Sequence, residues 1–395
     1  AWHSNFLVEF CQISDCGRRG ISINLYLDQE YPENRVLKNI IIRKNFFKRG
    51  FHTTALDLSS QLTSNDTITG VYFYGNIVDD SEHKEAPNEW ISNQVFTQAG
   101  ASYINDVYIY NNILLHATGR NILIEDGDSI HIWNNTIIGH NPNIQFNPYA
   151  NVSLSWPYQV DFRNNILYDD LPDNSIQNHG VLMYYEPSKF MAKDNNLYYT
   201  KYPKTDRNFA AHRADNNLSA DVWYYNTTEW NEYLTDNPNF EQNSPAPADP
   251  QFMKFYSDLR LKENSPAKGK GAKIDMIKND FTGNPVNNPP DIGAIRYGAD
   301  KYTGVLEEKV IRDLQIRIWP NPTSQIVNID LSDGFLARNL TVRMYNLEGK
   351  LVYSSGNYSG THLYFELPSN LQSGLYFLNV SNGFSSKSGK ILVRK

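Results

Sequence analysis

The chain has 395 residues, 40% of them apolar, with 36 Lys and Arg against 43 Asp and Glu for a formal charge of -7. That length exceeds one ordinary core and calls for two domains or a long repeat array. No stretch approaches the ~18 consecutive apolar residues of a membrane helix, and no basic surplus meets a phosphate backbone, so nucleic acid is not an expected partner.

The 46 Asn, 26 Tyr and 19 Phe point to many short strands broken by residues that tolerate left-handed backbone. The first strand falls within residues 6–13, with no basic leader or apolar h-region before it, so the chain is expected to begin after processing or inside a longer protein. Leu7 already stands at a repeat position, which predicts an uncapped first rung whose free edges associate at high concentration. Cys11 and Cys16 are too few for a disulfide framework and read as two small buried side chains, with a local bridge between them as the alternative.

One pattern, apolar-x-apolar-x-Asn-Asn-apolar, then recurs along the first half of the chain. Its clearest copies are Val107-Tyr-Ile109-Tyr-Asn111-Asn112-Ile113, Ile130-His-Ile132-Trp-Asn134-Asn135-Thr136 and Val160-Asp-Phe162-Arg-Asn164-Asn165-Ile166. Weaker copies begin at Leu7, Ile40, Val71 and Met191. The key position falls at 12, 45, 76, 112, 135, 165 and 196, with gaps of 33, 31, 36, 23, 30 and 31 residues. Such a variable period suits stacked rungs whose outer loops differ in length.

Period-two alternation places Leu7, Ile40, Val71, Val107, Ile130, Val160 and Met191 in one inward column. Asn at the key position, with Gln12 standing in for it in the first rung, predicts a left-handed bend whose amides bond along the stack. A further strand is read at Gly20-Ile-Ser-Ile23, Ala55-Leu-Asp-Leu58, Asn121-Ile-Leu-Ile124, Asn151-Val-Ser-Leu154 and Gly180-Val-Leu-Met183. With a short strand after each Asn, every rung has three.

On these motifs, residues 1–200 resemble the right-handed parallel β-helix proteins of the pectate-lyase-like group. The resemblance implies an all-β fold, with the Gly-Ile-x-Ile segments forming the sheet where enzymes of that group bind polysaccharide. After residue 200 a short helix is expected near Thr228-Glu-Trp-Asn-Glu-Tyr233. Asp249-Pro-Gln-Phe252, Asp258-Leu-Arg-Leu261, Ser265-Pro-Ala267 and Asp291-Ile-Gly-Ala294 then read as the cap that an open array needs, within 201–297.

A linker is placed at 298–313, and strand patterns restart over 314–395. There Ile318-Trp-Pro-Asn-Pro-Thr323, Val342-Arg-Met-Tyr-Asn-Leu-Glu-Gly-Lys350, Leu371-Gln-Ser-Gly-Leu-Tyr-Phe377 and Lys390-Ile-Leu-Val-Arg-Lys395 resemble the type A sorting domain of the Bacteroidetes type IX secretion system. That resemblance implies a small C-terminal β-sandwich, the secretion machinery as a partner, and a secreted or outer cell-surface location.

Two surfaces are candidates for chemistry. Outward ladders before each Asn run Ile41, Tyr72, Tyr108, His131, Asp161, Ala192 and Arg43, Tyr74, Tyr110, Trp133, Arg163, Asp194. Tyr108, Tyr110, His131, Trp133 and Arg163 are expected to hold a saccharide through aromatic faces and flanking polar groups.

The Gly-Ile-x-Ile sheet and its turns carry Asp57, Glu125, Asp126 and Tyr184, with His52, His116, Arg120, His140 and His179 nearby. A lyase acting on a uronate needs its carboxylate neutralised and a base for the adjacent proton, roles open to Arg120, Glu125 and His140. A hydrolase needs two carboxyl groups, for which Asp57 and Glu125 are the pair, with Tyr184 as a substrate contact and His116 as a further catalytic candidate. Glu125, Asp126 and Asp128 are the expected ligands if Ca²⁺ takes part. The sequence therefore predicts a β-helix that engages an extracellular polysaccharide as a lyase or glycoside hydrolase, or as a non-catalytic adhesin or surface structural protein.

Overall fold

The computed structural model describes residues 3–25, 35–50, 53–60, 66–80, 93–99, 103–140, 151–154, 158–170, 182–185, 190–201, 208–213, 222–226, 229–300, 316–331, 340–358, 362–381 and 386–395. The chain forms two compact units, Ala1–Asp300 and Lys301–Lys395.

The first unit is a parallel β-helix. Sheet A stacks His3–Glu9, Val36–Arg43, Thr67–Tyr74, Tyr103–Tyr110, Asp128–Trp133, Tyr158–Arg163 and Phe190–Asp194. Sheet B stacks the short strands after each Asn, from Gln12–Ser14 to Leu197–Thr200. Sheet C runs from Arg19–Leu25 through Thr53–Ser60, Asn93–Ala99, Ile122–Ile124, Val152–Leu154 and Leu182–Tyr185 to Asn208–Arg213, and Val222–Asn226 pairs antiparallel on its last edge. Alternation drives the packing: Val107 and Ile109 enter the core while Tyr108 and Tyr110 point out.

The outward ladders have the register expected of them from Ile41 to Ala192 and from Arg43 to Asp194. Three positions differ. Phe6 pairs with Ile40, so Leu7 joins the outward column and is 50% exposed. Phe190 pairs with Val160 across a bulge, which leaves Met191 48% exposed. Gln12 pairs with Phe46, so Cys11, not Gln12, stands at the head of the Asn column. In sheet C, Leu182 pairs with Val152, one residue later than the sequence suggested.

The Asn-Asn doublet divides two tasks that the sequence had assigned to one residue. The left-handed residue is the first of the pair: Asn111, Asn134, Asn164 and Asn195 have φ of 50–61°, as do Phe10, Lys44 and Gly75 at 55–63° in earlier rungs. The second is buried and forms the ladder. Asn45, Asn76, Asn112, Asn135 and Asn165 each donate Nδ2 to the next Oδ1 at 3.0–3.2 Å. The same Oδ1 atoms accept backbone N–H from the preceding rung. The amides of this buried column are thereby satisfied where water is excluded.

The first Asn has its own partner. Asn111, Asn134, Asn164 and Asn195 donate Nδ2 to the carbonyls of Asn279, Gly293, Ala272 and Lys270, at 2.8, 3.4, 2.8 and 2.9 Å. A strap of residues 270–294 is thus held along the A–B corner. Gly293 (φ 97°) comes so close that a Cβ there would lie 2.5 Å from Ile166 Cδ1, and Ala294 N–H donates to Thr136 Oγ1 at 3.0 Å. Glycine is needed at that position on both counts.

The helix Trp230–Asp236 closes the last rung by placing Trp230 and Tyr233 in the main core. Below it Lys193 is buried, with its ammonium against the Tyr233 hydroxyl and 4.9–5.5 Å from the ring centres of Tyr233, Phe190 and Phe240. The second unit packs a three-stranded and a four-stranded antiparallel sheet around Val327, Ile329, Val342, Met344, Leu378, Val380 and Ile391. It is a β-sandwich.

Candidate functional site

Through its middle strands sheet C is covered. Described side chains at 53–59, 93–97, 122–124 and 151–154 are all buried. Asp57 is 0% exposed and ion-paired with Arg19, so its carboxylate does not face solvent. Register places Asp57 level with Leu123, two strands away, and Glu125 two residues further along. That puts their backbones about 12 Å apart, by strand spacing and rise, with the Asp57 carboxylate enclosed against Arg19. Tyr184 pairs with Leu154 and His212, the register of core Ile124 rather than of Asp57.

Arg120 lies in the four-residue connection between Ile113–Ala117 and Ile122–Ile124, the shortest B–C connection among neighbours of thirteen and eleven residues. Its backbone N–H donates to Asn93 Oδ1 at 3.2 Å and its Nε to Ser153 Oγ at 3.1 Å. Glu125 follows the strand, and its N–H donates to Thr97 O at 3.0 Å. Burial pushes the Glu125 carboxyl up, and the Arg120 charge acts in the opposite sense. His140 ends Thr136–His140, its backbone paired with Ala117; the His140 and Tyr184 side chains, His52 and His179 lie outside the described residues.

The His116 ring is buried 4.5 Å from that of Tyr256, with Nδ1 3.4 Å from Asp79 Oδ1. Asp126 and Asp128 each accept the next backbone N–H, from Gly127 at 2.8 Å and Ser129 at 2.7 Å. Among the described residues no three His, Cys, Asp or Glu side chains converge on one point. Glu125, Asp126 and Asp128 lie together on the turn that joins Ile122–Ile124 to Asp128–Trp133.

The accessible ladder is on sheet A. Tyr72, Tyr108 and His131 stack with ring centres 4.9 and 4.6 Å apart and planes within 5°. Tyr74 and Tyr110 stack at 4.7 Å. The ring faces are occupied by one another, so the stripe offers solvent its edges, phenol hydroxyls and imidazole nitrogen. Trp133 is not part of an open platform: it is 6% exposed and covered by Ile274 and Ile277, with Tyr108, Tyr110 and Val286 packed beside it. Burial pushes the Tyr108 and Tyr110 phenols up.

Polar groups frame the rings. Arg43 donates to Glu9 at 2.8 Å and to the Tyr74 hydroxyl at 2.8 Å. Arg163 grips Asp161 through two contacts of 2.6 and 2.5 Å, and is thus a partner of Asp161 before it is a substrate contact. Burial raises the Asp161 carboxyl, but the nearby His131 ring and the hydrogen-bonded Arg163 guanidinium outweigh it and hold the group low. Ser129 Oγ lies 3.3 Å from His131 Nε2, whose other nitrogen is 3.9 Å from Asp161. The Ser129 N–H donates to Asp128 Oδ1.

Sequence reasoning missed Ser129 and Asp106. Both belong to a second left-handed column, Asn5, Asn39, Gly70, Asp106, Ser129 and Gln159, with φ of 51–67°. Asn, Gly, Asp and Ser recur immediately before the inward apolar residue, and that turn chemistry was the available signal.

Residues 317–394 match the model of the secretion system C-terminal sorting domain. Among solved structures, an immunoglobulin-like β-sandwich protein of the DUF3244 family from Bacteroides vulgatus is similar at 16% identity. The match covers 20% of this chain and 92% of that one, with a TM-score of 0.16. No curated protein matches the chain. The sorting domain implies engagement with the type IX secretion machinery. The protein is therefore one that is secreted or held at the outer cell surface.

Proposed function

We propose that this exported β-helix binds an extended extracellular polysaccharide along the outer face of sheet A and holds it without cleaving it. The supporting observation is the Tyr72, Tyr108 and His131 column, which repeats at the rung spacing. A polymer laid along it meets an equivalent set of hydrogen-bonding edges at each rung. Tyr74 and the Arg43–Glu9 pair extend the same stripe. Sugar hydroxyls both donate and accept, which suits phenol, imidazole and carboxylate partners.

The test is affinity electrophoresis of the full chain in gels carrying each of a panel of polysaccharides, with Tyr72→Ala and Tyr108→Ala beside it. Retardation lost in both variants, with folded far-ultraviolet spectra, supports the reading. Retardation unaffected by either variant overturns it.

A second reading has one observation behind it. The raised Glu125 carboxyl with Arg120 charge nearby has the character of a base beside a carboxylate-neutralising group, as a polysaccharide lyase requires. Rising unsaturated-product absorbance on a polyuronate, abolished in Glu125→Gln, would move the function to that corner. Glucuronan, alginate and pectate incubated with no product would dismiss it.

A further inference from the structure

Resting on the sheet A reading, we propose that the polymer bound there is uncharged: a neutral glycan, not a polyuronate or sulfated chain. The argument is electrostatic. Asp106 and Asp128 lie half-buried on the two strands that carry Tyr108 and His131, two and three residues before those rings. Asp106 Oδ2 accepts from Thr69 Oγ1 at 3.0 Å, and Asp128 Oδ1 from the Ser129 N–H. Both are therefore fixed beside the stripe.

The arginines of the same face do not offset these charges. Arg43 is neutralised by Glu9 at 2.7 Å and Arg163 by Asp161 at 2.5 Å, and both carboxylates belong to sheet A. A geometry that pairs a guanidinium with a carboxylate fork leaves little of it for a substrate carboxylate. Lys38, exposed on Val36–Arg43, stands at the register of Thr69 and Asp128, one residue from that of Asp106, and is one cation against those two carboxylates. A polyanion lying across Tyr72, Tyr108 and His131 would thus bring its charges towards Asp106 and Asp128, two and three residues along the same strands, a separation comparable with one Debye length of about 8 Å at physiological salt. A neutral chain meets the same carboxylates as acceptors for its hydroxyls.

The experiment measures retardation of the full chain by mannan, xylan and β-glucan against pectate and alginate, at low and physiological salt. It includes the Asp106→Asn, Asp128→Asn double variant. Asp106 has φ of 51°, a conformation Asn tolerates well, so that variant keeps the fold. The expected result is retention on a neutral glycan that Tyr108→Ala weakens, polyuronate retention at least about tenfold weaker, and a gain of about fivefold or more on polyuronate in the double variant at low salt. Polyuronate retention equal to the neutral glycan and unchanged in the double variant overturns the inference while leaving the glycan reading intact. No retention on any glycan overturns the glycan reading and this inference with it.

Discussion

Glu241 ends the asparagine ladder by taking the place of the next amide: Asn196 Nδ2 lies 3.1 and 3.2 Å from its two carboxylate oxygens. The Tyr198 hydroxyl donates to Glu241 at 2.6 Å and Ser244 Oγ at 2.5 Å, while Lys193 supplies a buried positive charge. A repeating hydrogen-bond column always leaves a donor at one end. Here a carboxylate from outside the repeat satisfies it, and the helix-terminating segment 237–244 brings it there.

Removing that charge is expected to be costly because Lys193 would stay buried without its counter-ion. Glu241→Gln should destabilise the β-helix unit by about 3–5 kcal/mol, and Lys193→Met in the same chain should recover much of the loss. Urea denaturation of the wild type, both single variants and the double variant checks this. A double variant whose loss equals the sum of the two single losses would show that the two groups act independently.

The two members of each Asn doublet should respond differently. Asn135→Ala leaves Asn112 and Asn165 without their ladder partners, and loses the bond to the Ile109 carbonyl, in a site closed to water. A cost of about 3–5 kcal/mol is expected. Asn134→Ala breaks one long contact to the strap and one to Asn164, with a cost of about 1–2 kcal/mol. Thermal melts rank the pair, and the reverse order would refute the division of tasks.

Asp80 predicts an unusual pH dependence. Burial pushes its carboxyl from 3.8 up to about 7, against hydrogen bonds from Thr54, Gln94 and the Arg49 N–H. The folded protein therefore binds more protons than the unfolded chain between those two values, so this group's contribution falls as pH rises from 3.8 to about 7 and is flat above. The shift corresponds to at most about 4 kcal/mol. Melting temperatures of wild type and Asp80→Asn between pH 4 and 8 should converge at the acid end and separate towards neutrality in favour of the variant. Parallel curves would count against a raised Asp80.

Gly293→Ala tests the strap. The left-handed backbone and the Ile166 contact both oppose a Cβ, so a loss of about 2–3 kcal/mol is expected. Gly283→Ala, where the added carbon meets nothing within 4 Å, isolates the backbone share of that cost. Identical melting points for the two would mean that Ile166 yields freely.

The β-helix was legible because its signal is periodic: Val107, Ile130 and Val160 announce one inward column, and Asn112, Asn135 and Asn165 one corner. Register failed at Leu7, Met191 and Gln12, where a bulge or a weak copy shifts the pairing by one residue and nothing local marks the shift. The strap was less visible. Ser265-Pro-Ala267 and Asp291-Ile-Gly-Ala294 signalled a cap, yet only contacts across more than a hundred residues show that Ile274 covers Trp133 and that Ala272 meets Asn164. The same distance problem hid the burial of Asp57, whose pairing with Arg19 depends on the neighbouring rung.

The strap also fixes where mechanical load enters. A protein held at the cell surface through its C-terminal module feels any tug on its first unit at Asp300. From there the chain leads back through Ala294 and Gly293 to Thr136 and to the Asn164 backbone. Tension is therefore delivered to the fifth and sixth of the seven rungs, next to the one that the terminal helix and Glu241 close, and reaches the first rungs last. The rungs farthest along the chain from the sorting module are the ones sheltered from the tether.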